Sequence, residues 1–240
     1  AVLCVLAASG CRPGITLTYD VRVSQALPHQ LDVELRLAGL PAGETLAFRS
    51  FAAPSDSRPA DVRVFDANDQ PLATRASVET EQSSAHYSFI APASGQAAIR
   101  YRVVPAGRRR NQHTGFKRRR KLVVDERFAL LRGRDVFVFP ERVEAIGSAR
   151  VSFTLPPSWS AWAAWMPEGA KRGPMERSGR RALEEMLSAP LAFGSFATRR
   201  FDLAGTEYRL LFETGIPEDG RAPVAGELER AVRAVAGRFD

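Results

Sequence analysis

The segment from residue 15 to residue 37 constrains the fold more than any other part of the chain, because its apolar residues alternate strictly with polar ones. The stretch ITLTYDVRV (Ile15–Val23) is apolar at every odd position, and LDVELRL (31–37) repeats this pattern. Period-two patterning with β-branched and aromatic residues predicts strands with one buried and one solvated face, as in antiparallel sheets. The chain therefore begins its folded part with β-structure.

Further short runs of the same kind predict that the whole chain is mainly β. Residues 66–69, Asp-Ala-Asn-Asp, tolerate tight turns and predict a hairpin. Many short strands separated by turn signals favour an antiparallel β-sandwich. The additional strands are predicted at 44–51, 62–65, 87–90, 97–104, 136–139, 151–155, 162–166, 201–203 and 208–213.

Two segments carry helical patterns. Residues 180–187 (RRALEEML) predict a short helix. A clearer helix follows Pro223, which suits a first helical turn. Because this helix reaches Asp240 with an apolar stripe and no cap, we expect the natural protein to continue. The stripe comprises Val224, Leu228, Ala231, Val232, Val235 and Phe239.

The first eleven residues, AVLCVLAASGC, resemble the end of a secretory signal. The chain starts with Ala rather than Met, so we expect it to be part of a longer protein. Small residues before Cys11 are typical of a lipoprotein signal, in which the cysteine thiol receives the lipid. We therefore predict export, to the periplasm or as a membrane-anchored lipoprotein, with Cys11 as the attachment site. Cleavage without lipidation and a short first strand are the alternatives.

No catalytic or metal-binding motif occurs in the sequence. A thermolysin-like zinc site needs H-E-x-x-H, but none of His29, His86 and His113 is followed by Glu or by a second His four residues later. There is also no G-x-S-x-G, S-x-x-K or phosphate-binding loop motif. We predict no catalytic residue, no metal ligand and no cofactor within this chain.

A dense basic run lies at residues 108–121 and accounts for much of the formal net charge of +7. Such density can bind an anionic membrane surface or nucleic acid by charge neutralisation. An exported protein rarely meets nucleic acid, so we expect no nucleic-acid partner. A solvated loop between strands is the favoured interpretation, and contact with an anionic surface is the alternative. The basic residues are Arg108, Arg109, Arg110, Lys117, Arg118, Arg119, Arg120 and Lys121.

Three tryptophans, Trp159, Trp162 and Trp165, recur at every third position. Aromatic side chains in this arrangement can stack on sugars, but they more often fill a sandwich core or its rim. We predict core packing.

Three stretches together resemble the amino-terminal region of the glycyl aminopeptidase family. The first is the strand series ITLTYDVRV, LDVELRLAGL, ADVRVFDANDQPL and AAIRYRVV; the second is DVFVFPERVEAIGSARVSFTLPPSW. The third, EEMLSAPLAFGSFATRRFDLAGTEYRLLF, is similar to the crossing into the family's catalytic domain. Its Ser188, Pro190, Gly194 and Phe196 match a D-S-P-x-x-x-G-x-F pattern, with Ala189 inserted.

The members of this family are PDZ-containing zinc peptidases with a thermolysin-like catalytic domain. After the residual signal, taken as residues 1–12, the resemblance implies an N-terminal β-sandwich domain at 13–204 and the first strands and helix of a truncated α/β catalytic domain at 205–240. It also implies that zinc and the catalytic residues lie beyond Asp240, that the parent releases small amino-terminal residues from peptides, and that this part shapes the substrate cleft.

Two other interpretations stay open. The chain could be a complete exported binding module that recognises protein or glycan through a face of its sandwich. It could also be a peripheral protein held at a surface by its lipid and its basic run.

Overall fold

A seven-stranded sheet forms the largest part of the structure, a computed structural model that describes residues 14–23, 30–51, 59–79, 84–103, 123–124, 128–142, 146–166 and 175–236. Its strand order is β14-β12-β1-β2-β8-β4-β5, and all neighbours are antiparallel except the parallel pair β1 and β12. The strands are β1 (Ile15–Val23), β2 (Leu31–Ala38), β4 (Pro59–Asp66), β5 (Pro71–Leu72), β8 (Gln96–Val103), β12 (Ile146–Thr154) and β14 (Met175–Ser178).

Two four-stranded sheets and one hairpin complete the β-structure. The second sheet has the order β11-β3-β7-β6 and the third has the order β13-β15-β10-β9, while β16 pairs with β17. Their strands are β3 (Thr45–Phe51), β6 (Arg75–Glu79), β7 (Ser84–Ile90), β9 (Val123–Val124), β10 (Phe128–Arg132), β11 (Phe139–Pro140), β13 (Ser160–Ala163), β15 (Pro190–Gly194), β16 (Phe196–Leu203) and β17 (Thr206–Glu213). The helices are α1 (Gly133–Val136), α2 (Arg180–Ser188) and α3 (Glu218–Ala236).

The predicted mainly β class is confirmed, and so is the predicted alternation of buried and solvated residues in the first strands. In β1 the odd-numbered residues are buried, and the even-numbered residues Thr16, Thr18, Asp20 and Arg22 are half-buried or exposed. β2 repeats this arrangement, and its apolar residues join the same core as those of β1. The inner face of the large sheet meets the smaller sheets through this core, where the Phe153 and Phe193 ring centroids lie 5.3 Å apart.

Two buried tyrosines of the large sheet hold the segment that joins α1 to β11. The Tyr19 hydroxyl donates to the carbonyl oxygen of Val138 at 2.7 Å, and the Tyr101 hydroxyl donates to that of Val136 at 2.9 Å. The Tyr101 oxygen also accepts the backbone N–H of Val138 at 3.1 Å. The ring of Phe137 lies 4.8 Å from that of Tyr19. These contacts satisfy backbone groups that the short helix leaves without partners.

The prediction of a strand at 136–139 is wrong for most of this segment. Residues 133–136 form α1 and only Phe139 and Pro140 form a strand. The helix is possible because Gly133 lies directly against α2 and because the Asp135 carboxylate accepts the backbone N–H of Arg132 at 3.2 Å. Neither contact is visible in a local hydrophobic pattern.

Other boundaries also differ from the prediction. The strand predicted at 162–166 is β13 at Ser160–Ala163, and the one predicted at 151–155 is β12 at Ile146–Thr154. The helix predicted at 180–187 and the turn at 66–69 are confirmed. At that turn, Asp66 Oδ1 accepts the backbone N–H groups of Asn68 and Gln70 at 2.8 and 2.9 Å.

The last helix begins earlier than predicted. It starts at Glu218, so Pro223 is an interior residue rather than part of the first turn. Glu218 and Asp219 occupy the first turn, where carboxylates complement the helix dipole. Of the predicted stripe, Val224, Leu228 and Val235 are exposed. No helix within the described residues is long and apolar enough to cross a membrane.

The division into domains stays a prediction. The proposed boundary after residue 204 falls in the two-residue turn of the β16–β17 hairpin, whose strands pair over their whole length. Ala204 and Gly205 both have positive φ, 48° and 73°, as a tight hairpin turn requires.

Candidate functional site

Most of the residues singled out from the sequence lie outside the described part of the chain. Cys11, the proposed lipid site, precedes residue 14, and the basic residues Arg108, Arg109, Arg110, Lys117, Arg118, Arg119, Arg120 and Lys121 lie within 104–122. Lipidation and contact with an anionic surface therefore stay predictions.

The tryptophan cluster can be assessed directly. Trp159 and Trp165 are buried and belong to the core, which confirms the prediction of core packing for these two residues. Trp162 is half-buried in β13.

The described residues do not fit a zinc site. No group of three or more His, Cys, Asp and Glu side chains comes together in the ranges that the structure describes. His86 is the histidine within those ranges, and its ring nitrogens contact Ser84 and Glu141. A zinc ligand set needs three or four such donors around one point.

A charged groove of about 460 Å³ lies on the polar face of the seven-stranded sheet. Neighbouring strands place charged residues side by side: Asp20 on β1 faces Glu34 on β2, a like charge, and Glu34 faces Arg100 on β8, an opposite charge. Ion pairs cross this face, and their partners are half-buried or exposed. The groove is lined by Asp20, Arg22, Asp32, Val33, Glu34, Asp61, Arg63, Phe65, Arg100, Tyr101 and Arg102.

Arg100 is the centre of these pairs. Its Nε donates to Glu34 Oε2 at 3.1 Å, and its terminal nitrogen lies 2.8 Å from Asp69 Oδ1. The guanidinium carbon lies 4.6 Å from the ring centroid of Phe65, a cation–π distance. The pKa of Arg100 is raised, mainly by its hydrogen bond to Asp69. Its hydrogen bond to Glu34 and the negative charge of Glu34 add to this effect. Arg100 is thus fixed as a permanent cation.

A β-bulge brings one further carboxylate to the groove. The pairing of β4 with β8 shifts register between Ala60 and Arg63, and Asp61 within the bulge has φ of 54°. Its carboxylate pairs with Arg102. Bulges and left-handed non-glycine residues occur preferentially where a side chain is aimed at a site. The groove thus offers charged side chains for binding a ligand. The Tyr101 hydroxyl, which could take part in a reaction, points into the core and not into the groove.

A second arrangement of polar side chains connects the second sheet to the end of β11. His86 Nε2 lies 3.0 Å from Ser84 Oγ, and His86 Nδ1 lies 2.5 Å from Glu141 Oε1. Glu141 also lines a groove of about 930 Å³ beside β3. No sequence motif could indicate this group, because Glu141 is 55 residues from His86. The one local signal is the Ser-x-His spacing, which places two side chains on one face of a strand.

Comparison with solved structures shows a shared fold with an aminopeptidase. The aminopeptidase N family protein from Idiomarina loihiensis superposes with a TM-score of 0.64 at 10% identity, over 90% of this chain and 35% of that one. This chain thus spans about a third of the length of that protein. No protein-family model matches the sequence, and no curated protein matches it.

Two further solved structures superpose with lower scores. The M1 zinc metallopeptidase from Deinococcus radiodurans, as an E323A mutant, gives a TM-score of 0.39 at 14% identity, covering 85% of this chain and 49% of that one. Yeast LTA4 hydrolase in complex with bestatin gives 0.41 at 10% identity, covering 78% and 29%.

Proposed function

We propose that this chain is a non-catalytic β-domain of an exported zinc aminopeptidase-like protein, and that its role is to scaffold the substrate cleft. The observation that carries the proposal is the fold shared with the Idiomarina loihiensis aminopeptidase N family protein over most of this chain. The parent would release small amino-terminal residues from peptides, as the resemblance to the glycyl aminopeptidase family implies. Peptide substrate would thus be a partner of the parent rather than of this domain alone.

Zinc in this proposal is held by the parent outside this chain. The described residues bring no three metal-binding side chains together, and the sequence has no H-E-x-x-H. The zinc would polarise the peptide carbonyl and activate water. This domain would supply rigid walls.

The hairpin and the last helix favour a larger parent. A two-stranded hairpin is marginally stable by itself and gains stability by packing against further structure. α3 exposes Val224 to 50%, Leu228 to 44% and Val235 to 57%. Apolar side chains grouped on a helix are usually covered by another protein segment. A further part of the parent packing on α3 would remove this exposure.

The test is to extend the chain. The genomic reading frame behind Asp240 should encode H-E-x-x-H, and the longer protein should bind zinc and hydrolyse aminoacyl anilides. The 240-residue chain is the matched control and should do neither. A stop codon directly after Asp240, or a longer product that has no peptidase activity with zinc, would argue against the proposal.

Export and surface attachment are part of the same proposal. Cys11 would carry the lipid, and the basic run at 108–121 would contact anionic headgroups. Labelling with a palmitate analogue should be lost in Cys11→Ser. Binding to phosphatidylserine vesicles should weaken steeply as salt rises, because exposed charges are screened. Unchanged labelling in Cys11→Ser would rule out lipidation at this residue.

The second candidate function is an exported binding module for protein or glycan. It is favoured by the charged groove, in which the strained Asp61 is held at a bulge. Among the described residues no ion-pair partner is found for Arg22 or Arg63, which leaves two guanidinium groups for an acidic ligand. An acidic probe peptide should bind the wild type and not the Arg22→Ala/Arg63→Ala variant. Equal binding of the peptide by both proteins would exclude the groove as the binding site.

A further inference from the structure

We propose that a second copy of this chain pairs with β6 (Arg75–Glu79), so that two molecules form a two-fold symmetric dimer with one continuous sheet. β6 is an edge strand, because within the described residues it is hydrogen-bonded to β7 alone. The unpaired edge of a strand presents backbone N–H and C=O groups that can bind a further strand. This association is independent of the proposed zinc peptidase function.

The edge at β6 is long and has little protection against strand addition. β6 has five residues, whereas the other described edge strands of the three larger sheets have four (β13 and β14) or two (β5, β9 and β11). Proline, which protects strand edges, occurs in β5 and β11 but not in β6. The middle residues of β6, Ala76, Ser77 and Val78, carry no charge. The centre of this strand is therefore open to pairing.

The register of the second sheet shows which backbone groups of β6 point outward. The Ala91 N–H donates to the carbonyl oxygen of Glu44 at 2.8 Å, so the backbone groups of Ala91 face β3. Successive residues of an antiparallel strand face opposite neighbours, so the backbone groups of His86, five positions earlier, face β6. Because His86 pairs with Ser77, the N–H and C=O of Ser77 face β7. The residues on either side of Ser77 therefore direct their N–H and C=O away from the sheet.

One register of a symmetric dimer uses all of these outward groups. With the two-fold axis at Ser77, Ala76 lies opposite Val78 of the second copy, and each such pair exchanges two N–H···O bonds. The same register places Arg75 opposite Glu79 of the second copy on both sides of the axis. Opposite charges directly across an antiparallel pair are stabilising. An axis at Ala76 or at Val78 would lose both charge pairs, so the sequence R-A-S-V-E is complementary to itself in this register.

The exposed apolar surface of β6 fits the same register. Val78 is 56% exposed, and Ala76 is exposed as well. These two residues pair with the buried Ala85 and Tyr87 of β7, so they extend the inner face of the second sheet to its edge. In the dimer, Ala76 of the second copy would lie beside Val78 and cover it. An interface of one short strand from each molecule is small, so we expect the dimer to be weak.

The first experiment is sedimentation equilibrium of the whole chain from about 5 μM to about 500 μM, a range suited to a small interface. Arg75→Glu and Glu79→Arg each convert two opposite-charge pairs into two like-charge pairs. Each should raise the dissociation constant of the dimer by about 10-fold or more. The double variant Arg75→Glu/Glu79→Arg restores opposite charges and should return the constant to within about 3-fold of the wild type.

The matched control is Arg181→Glu, which makes the same change of net charge at an exposed position of α2 and should leave the dissociation constant unchanged. An equal effect in this control would assign the loss to net charge and overturn the proposal. Monomers at every concentration, or a double variant as weak as the single ones, would overturn it as well.

Cross-linking at Ser77 gives a second measurement that needs no change of charge. Ser77 and Ser77 of the second copy would form a non-hydrogen-bonded pair with Cα atoms about 4.5 Å apart, within the range of a disulfide. In a background of Cys4→Ser and Cys11→Ser, mild oxidation should link Ser77→Cys into a dimer. Ser88→Cys, one strand farther from the axis on β7, is the control and should stay monomeric. A Ser77→Cys chain that does not cross-link, or a control that cross-links equally, would overturn the proposal.

Discussion

Gly133 is the position at which one added methyl group should damage the fold most. It begins α1 directly against the end of α2, and a Cβ at this residue would lie 1.9 Å from the carbonyl oxygen of Met186 and 3.0 Å from the Cα of Leu187. Both are backbone atoms, so no side-chain rotation can relieve the clash. The N–H of Gly133 also donates to the carbonyl oxygen of Ala189 at 3.0 Å, and a shift of α1 would lengthen this bond.

The magnitude follows from these two contacts. Overpacking a core costs typically about 1–3 kcal/mol, and a rigid backbone partner places Gly133→Ala at the upper end. Weakening the hydrogen bond to Ala189 adds about 1 kcal/mol. We therefore expect the free energy of unfolding to fall by about 3–4 kcal/mol. For a chain of this size that lowers the melting temperature by roughly 6–16 °C.

The assay is thermal and urea unfolding followed by circular dichroism, with Gly226→Ala as the control. Gly226 lies inside α3, and an added Cβ there would meet no atom within 4 Å. Alanine is favoured over glycine in a helix by about 1 kcal/mol, so the control should unfold at a higher temperature and a higher urea concentration than the wild type. If Gly133→Ala stays within about 0.5 kcal/mol of the wild type, where surface substitutions usually fall, the packing of α1 on α2 is not as described.

Three further predictions concern single groups. Tyr101→Phe should lower the free energy of unfolding by about 1–3 kcal/mol in urea titrations, because Val136 and Val138 lose their buried hydrogen-bond partner; an unchanged midpoint would contradict this. Burial raises the pKa of Tyr19 and Tyr101, so their contribution to stability is intact below about pH 10, the value of unfolded tyrosine, and is lost as the pH rises further. Coincident phenolate absorbance and unfolding would support this, whereas phenolate formation in the folded protein would not. Ala204→Asn should raise stability by about 1 kcal/mol in calorimetry, since Asn tolerates the positive φ of 48° better than Ala.

The strands with one buried and one solvent-exposed face were predictable because the alternation of apolar and polar residues is a property of neighbouring positions in the sequence. In β1 and β2 each residue's side is set by period-two geometry, and Leu17 and Leu35 are buried as expected. The turn at 66–69 was predictable for the same reason, since Asp66 bonds its own neighbours.

Two paired strands of the third sheet, β10 and β15, were missed. Four of the five residues of β15 are buried, whereas β10 buries Ala129 and Leu131 and exposes Leu130, although all three are apolar. A short apolar run of this kind has no alternation, so it cannot be distinguished from a piece of buried helix by periodicity. The start of α3 was missed because the prediction relied on Pro223, whereas the helix begins five residues earlier with two carboxylates in its first turn.

The polar groups on the second sheet could not be predicted at all. His86 and Glu141 meet because β11 pairs with β3 and β3 with β7, and sheet order is a property of the whole chain. The charged groove was predictable in part, because the alternation places the charged residues of these strands on one face. The β4 bulge, which brings Asp61 to Arg102, has no sequence signal.

The central claim is that this chain is a scaffold and does not hold the metal of a peptidase. The most direct measurement is the zinc content of the purified 240-residue chain after dialysis against zinc, together with its turnover of aminoacyl anilides. We expect far less than one zinc per chain and no hydrolysis above buffer. One tightly bound zinc per chain with measurable turnover would contradict the account.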